Sequence, residues 1–396
     1  MAERLLCVPC ASASSPSKVK IRHEGHLVGH KERVFDIDWS PTQPSKLASV
    51  GATQGFVWSV QHGKAIAEPV ELAGTEIMRV CWHLDGNHVI TGDSKGKVTV
   101  CDANDGSVTD TLAAGGPEED EVYGLQMLSS DGLLAAGAGP ALQLWDLPRA
   151  TCLVRTDFTI ADDGVIFGGA HRNPEGKAYL FNLAARGRAL CAALSDGTVR
   201  LLDSQTLQPI GVLDEHARRG APAFGVAMSP TSPMLATADA KGAVMLWDLR
   251  QAGRGPLMET CHTGAVHSLA FTSGVGGSTA ELLVVASAER LILHETQTSL
   301  ATESSVRMLD PLLCVKAAQD GATPRLAAAG GSGGLISDAR ISLLRLQALE
   351  DEVDCDAATG AKKRPVAVED SVSDVAEGVE KKRKQGDAEG AGKDHD

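Results

Sequence analysis

Six stretches of the chain alternate apolar and polar residues: VFDIDWSPTQ, IMRVCWHLDG, VYGLQMLSSDG, AYLFNLAARG, FGVAMSPTS and VHSLAFTSG, most of them running into a turn. Apolar side chains at every second position place one face of each run in a core, which predicts half-buried strands rather than helices. A second pattern follows the first five: an apolar run, small residues, a turn, another alternating strand and a polar exit. It reads LASVGATQGFVWSVQHG at 47–63, HVITGDSKGKVTVCDANDG at 88–106, LLAAGAGPALQLWDLPRA at 133–150, ALCAALSDGTVRLLDSQT at 189–206 and LATADAKGAVMLWDLR at 235–250. The anchors Trp58, Cys101, Trp145, Leu202, Trp247 and His294 recur at about 43 to 47 residues, a period that predicts four-stranded blades. The longer gap from Trp145 to Leu202 is assigned to an insertion around IADDGVIFGGAHRNPEGK.

These residues resemble the WD-repeat β-propellers. The resemblance rests on GHKERVFDIDWSP, on LWDL at 144–147 and again at 246–249, and on SDGTVRLLD at 195–203, and covers roughly residues 18 to 348. It implies an all-β fold, a single β-propeller of about seven four-stranded blades, with six or eight as alternatives. Six repeats are visible, and a seventh is assembled from PLLCVKAA, PRLAAAGG and ISLLRL, with KVKIR as its outer strand. Such an N-terminal strand joining the last blade closes the ring and removes its free sheet edges. In the family a His before the first strand, an Asp of the inner turn and the closing Trp form a hydrogen-bonded set. His216, Asp239 and Trp247 fit it, although Asp239 lies slightly early. Elsewhere the set is broken: His30 and His262 lack a turn Asp, and Asp93 and Asp196 lack a His. Such blades are expected to lean on packing and to open more easily.

Composition narrows the partners. With 51 acidic residues against 37 basic ones and a net charge of −14, the surface is not one built to neutralise phosphates, so direct nucleic-acid binding and an anionic membrane are not expected. No apolar run reaches the roughly 18 residues of a membrane helix, and the opening MAERLLCVPCASAS is too short in apolar character for a signal peptide. The nine cysteines stand mostly alone in apolar runs such as RVCWH and RALCAAL, which reads as buried thiols in a reducing compartment without disulfides.

The expected organisation is a flexible segment at 1–17, the propeller at 18–349 and a disordered acidic tail at 350–396, whose Asp, Glu, Ala, Gly and Lys cannot bury enough apolar surface to fold. Two basic clusters interrupt that tail, Lys362, Lys363 and Arg364, then Lys381, Lys382, Arg383 and Lys384. They fit an importin groove and predict nuclear localisation, with the cytoplasm as the alternative. Ser371 and Ser373 lie where phosphorylation would add charge near these clusters.

Candidate chemistry is sparse. Cys7, Cys10, His23 and His26 have the first spacings of a Cys₂His₂ zinc site, but the His pair is too close and the Ser-Pro richness between opposes a helix. HEGH at 23–26 is read as a loop entering the first blade, and GGSGG at 330–334, with no Lys-Ser/Thr behind it, as a turn. No Ser-His-Asp arrangement is discernible, so no catalytic residue, metal or other cofactor is assigned and the chain is not read as an enzyme.

The expected function is that of a non-enzymatic scaffold or adaptor, a subunit of a nuclear complex that binds other proteins through propeller loops. His30, Lys31, Arg33, His216, Arg218 and Arg219 are the candidate contacts, the basic loop HARRG suiting an acidic segment. The alternative rests on WDLR at 247–250, which resembles the box by which some WD-repeat proteins dock onto the adaptor of cullin-type ubiquitin ligases. It would make the chain a substrate receptor anchored by Arg250. A third reading, of another class, is a zinc protein or metal-dependent enzyme built on the N-terminal Cys and His residues.

Overall fold

The alternating runs become the inner strands of seven antiparallel sheets. The computed structural model describes residues 19–348 apart from 53, 75, 117–118, 161–175, 276–279, 289, 298–299, 301, 309–310, 319–323 and 332–338. The chain divides into units at 1–349 and 350–396. The second unit, with both basic clusters, lies outside the described residues, as do Cys7, Cys10 and most of the insertion after Trp145.

Inner strands run over Val34–Trp39, Ile77–Trp82, Val122–Met127, Leu180–Arg186, Ala223–Met228, Val266–Thr272 and Leu312–Ala318, and define blades 1 to 7. In blades 2 to 6 three further strands follow in chain order, each pairing with the one before it. Blade 1 has its outer strand split into Lys64–Ala65 and Val70–Leu72. Blade 7 takes its outer strand from the other end of the chain: Val19–His30 pairs antiparallel with Ala339–Ala348, from Val19 opposite Ala348 to His30 opposite Ala339. This closing strand extends beyond KVKIR through HEGH, so His23 and His26 lie on a strand and not in a loop. A close approach to blade 1 explains one of its glycines, because a Cβ on Gly25 would meet the Gly63 carbonyl oxygen at 2.0 Å.

The recurring anchors share one register position. Trp58 faces Leu47, Cys101 faces Val89, Trp145 faces Leu134, Leu202 faces Leu190, Trp247 faces Leu235 and His294 faces Leu283, each on the neighbouring second strand. Leu344 opposite Leu326 holds the same place in blade 7.

The core is distributed as clusters between adjacent blades rather than gathered at a centre. Ile37, Trp39 and Phe56 of blade 1 meet Cys314, Ala327 and Ile341 of blade 7, and Trp247 and Leu235 of blade 5 meet Cys191, Ala193 and Leu201 of blade 4. Each fully buried Val, Leu or Ile contributes on the order of 2 kcal/mol, and only a neighbouring blade supplies the partner surface, so packing itself requires closure. Polar side chains stitch the exposed edges of the inner strands together. Asp36 accepts from the Val80 N–H at 3.2 Å and Asp38 from the Trp82 N–H at 3.0 Å, while Ser268 both accepts from and donates to the backbone of Val315.

Among the described cysteines, Cys81, Cys101, Cys191 and Cys314 are buried and Cys152 and Cys261 are exposed, and all six are free thiols. No described helix is long and apolar enough to cross a membrane.

Candidate functional site

Each inner strand begins with a residue buried between blades: Val34, Ile77, Val122, Leu180, Ala223, Val266 and Leu312. Directly after it the ladder skips a residue in all seven sheets, between Val34 and Asp36, Ile77 and Arg79, Val122 and Gly124, Leu180 and Asn182, Ala223 and Gly225, Val266 and Ser268, and Leu312 and Cys314. A bulge of this kind re-aims the side chain of the skipped residue. The seven skipped residues are Phe35, Met78, Tyr123, Phe181, Phe224, His267 and Leu313, all half-buried, and with Arg33 and Arg79 they line one cavity of about 230 Å³ at the entrance of the central channel.

Three of the chain's seven phenylalanines and one of its two tyrosines stand in this ring. They form a continuous arc: Tyr123 meets Phe181 edge-on at 6.2 Å between centroids, Phe181 meets Phe224 edge-on at 5.2 Å, and Phe224 stacks on His267 at 5.1 Å. Arg79 crosses beneath the arc. Its Nε donates to the Tyr123 carbonyl at 2.7 Å and its Nη2 to the Phe181 carbonyl at 2.9 Å, with the guanidinium carbon 5.8 Å from the Tyr123 ring centroid. The guanidinium thus ties blades 2, 3 and 4 together at the mouth.

Burial, and after it the positive charge of Arg79, holds the His267 imidazole below its ordinary range and therefore neutral at pH 7. Burial and the hydrogen-bonded Glu121 carboxylate push the Tyr123 phenol up, so it keeps its proton. The mouth is consequently an apolar, aromatic collar with cationic groups at Arg79 and at the exposed Arg33. The cavity of about 230 Å³ at the mouth has room for a single inserted side chain. Deeper in the channel Lys316 Nζ lies 3.9 Å from Asp38 Oδ1.

The sequence-predicted contacts divide between frame and surface. His216 is 1% exposed and His30 2%, so neither presents itself to a partner. Within blade 5, His216 Nδ1 donates to Asp239 Oδ2 at 2.8 Å, Thr237 Oγ1 lies 2.8 Å from His216 Nε2, and Trp247 Nε1 donates to that hydroxyl at 2.9 Å. Blade 1 forms a shorter version with no Asp, both His30 Nε2 and Trp58 Nε1 lying 2.7 Å from Ser49 Oγ. Lys31 and Arg33 are exposed, and Arg33 reaches the collar. Arg218 pairs with Asp214 and Glu215, and Arg219 with Glu259, so the basic loop HARRG is met by acidic groups of its own chain. Arg250 has a side chain 70% exposed whose Nε and Nη2 both bond the Asp248 carboxylate. The collar itself escaped the sequence reading, although its signal is visible as the second letter of VF, IM, VY, LF, AF, VH and LL where each inner run begins.

A family model described as WD domain, G-beta repeat matches residues 207–248, from the end of blade 4 through the third strand of blade 5, and so spans His216, Thr237, Asp239 and Trp247. No curated protein matches the chain. The chain is thus a seven-bladed β-propeller with a WD-type repeat matched at 207–248, the stretch that forms the hydrogen-bonded set of blade 5.

Proposed function

We propose that the ring is a non-catalytic platform within a multi-subunit complex, and that it grips an extended segment of a protein partner at the channel mouth. The observation that carries this reading is the bulge repeated in all seven inner strands, which turns seven side chains into one collar. An apolar or aromatic side chain of the partner enters the collar, and a neighbouring carboxylate meets Arg33 and Arg79. A cationic anchor is disfavoured because Arg79 already lies against the Tyr123 face. On a chain of net charge −14, Arg33 and Arg79 at the mouth, offset in part by the Glu121 carboxylate on Tyr123, favour an acidic segment over a basic one.

Nuclear residence, with import through Lys362–Arg364 and Lys381–Lys384, is part of the proposal and rests on the composition of the tail alone. A second reading, docking onto a cullin-ligase adaptor through Arg250, is favoured by the exposure of that guanidinium at the exit of a blade strand.

Selection of a displayed random-peptide library on the full chain tests the collar. The expected consensus is an aromatic or Leu residue beside Asp or Glu. Its affinity falls about tenfold or more in Phe181→Ala/Phe224→Ala, and its acidic preference relaxes in Arg33→Ala. A basic consensus, or one indifferent to these variants, overturns the reading.

A further inference from the structure

The turn between the inner and second strands of blade 2, His83-Leu84-Asp85-Gly86-Asn87-His88, gathers three donor side chains that neither the frame nor the collar uses. Met78 of the collar stands at the start of the inner strand Ile77–Trp82 and His83 follows its end, so this turn lies on the face of the ring opposite the channel mouth. We propose that His83, Asp85 and His88 form a site for a divalent transition cation, zinc above all, with one coordination position left open.

Geometry makes the first argument. His83 Nδ1 lies 3.1 Å from Asp85 Oδ1, His88 Nδ1 lies 2.8 Å from Asp85 Oδ2, and the three donor atoms all fall within 4.8 Å of one another. Tetrahedral zinc, with nitrogen and oxygen ligands at about 2.0 to 2.1 Å, holds its donors about 3.3 Å apart. Small side-chain rotations therefore suffice to enclose an ion. Two imidazoles and a carboxylate select zinc and its neighbours over calcium or magnesium, which prefer all-oxygen sets.

The turn is also fixed in advance of any ligand. Asp85 Oδ1 accepts from the N–H groups of Asn87 at 2.7 Å and His88 at 3.2 Å, and the turn closes through His83 N to His88 O and Gly86 N to His83 O, both at 3.0 Å. Gly86 has φ +73°, and a Cβ there would lie 1.7 Å from Thr42 Oγ1, so only glycine passes. His83 is 14% exposed while Asp85 and His88 are each 34% exposed, which leaves the side of the cluster that faces solvent free for a water or for a donor from a partner.

The test uses the full chain, stripped with chelator and titrated calorimetrically with zinc chloride near neutral pH. One saturable site is expected, weakened about tenfold or more in His88→Gln and about a hundredfold in His83→Gln/His88→Gln, with the metal-free melting temperature unchanged in both. Cobalt(II) should give tetrahedral d–d bands without the thiolate charge-transfer band that ligation by Cys7 and Cys10 would add. The control His23→Gln/His26→Gln should bind as the parent does. Absence of micromolar binding, equal binding by the double variant, loss in the His23/His26 control or a thiolate band each overturns the site.

Discussion

Blades 5 and 6 place Trp247 and His294 at the same register position and complete their frames in opposite ways. In blade 5 the tryptophan begins a chain: the indole N–H donates to Thr237, whose hydroxyl lies 2.8 Å from His216 Nε2, and the imidazole Nδ1 donates to Asp239. The chain ends on a carboxylate. Blade 6 puts an imidazole where the indole would be. His294 Nδ1 donates to the Leu300 carbonyl at 2.8 Å, and its Nε2 lies 3.2 Å from His262 Nε2, a contact that is a hydrogen bond only while the two rings share one proton there. One position thus yields a charge-terminated frame in one blade and a frame conditional on neutrality in the next.

The largest expected effect follows from the burial of Trp247, 1% exposed. Trp247→Ala removes an indole from the cluster shared with blade 4 and should cost about 3 to 5 kcal/mol in urea unfolding. Thr237→Val keeps the volume but orphans the indole N–H and the imidazole Nε2, for about 1 to 3 kcal/mol. His294→Ala in blade 6 should cost less than Trp247→Ala. Equal losses in the two blades would remove the distinction between them.

Acidification sharpens the comparison at intermediate size. Burial, with His294 adding to it, lowers His262 to about 4 from 6.5, and burial alone does the same to His30 in blade 1. Between those values the unfolded chain binds more protons than the folded one, so the stability is complete above pH 6.5 and is lost as pH falls toward 4. The loss is on the order of 2 kcal/mol for half-buried His262 once partial solvent screening is allowed for. Asp239 works in the other sense. Burial alone would raise its carboxyl, but bonds from His216 and from the Ala243 and Lys241 N–H groups outweigh this and hold it below the ordinary range. Its contribution is therefore present above about pH 3.9 and disappears only as pH falls through the lower folded value. Hydrogen exchange should show blade 6 losing protection at pH 5 while blade 5 keeps it, and His262→Gln should flatten that dependence. Simultaneous loss in both blades would break the argument.

Period and anchors carried most of the fold, because Trp58, Cys101, Trp145, Leu202, Trp247 and His294 share a register position even where their chemistry differs. Side-chain direction was less accessible. A period of two assigns alternate residues to alternate faces, and a bulge breaks that parity without any composition of its own, which hid Phe181 and Phe224 in plain view. Thr237 looks like an ordinary strand former until His216 and Trp247 are seen to share its hydroxyl. His30 resembled a loop residue ahead of a strand, yet it ends the closing strand with its ring against Phe56, 4.9 Å between centroids.

The smallest expected effect lies in the same stretch as the largest. Arg250 is three residues beyond Trp247, but its side chain is 70% exposed, and its Nε and Nη2 reach back to an Asp248 carboxylate that is itself 8% exposed. These bonds hold the Asp248 carboxyl below and the Arg250 guanidinium above their ordinary ranges, and a pair whose cation stands largely in solvent contributes little to stability. Arg250→Ala should accordingly leave the urea midpoint unchanged while Trp247→Ala moves it far. If the midpoint holds, a cullin-ligase adaptor captured by the parent and lost by Arg250→Ala is lost through a contact and not through unfolding. If the midpoint falls as far as it does in Thr237→Val, Arg250 belongs to the frame of blade 5, and the docking alternative has no anchor in this stretch.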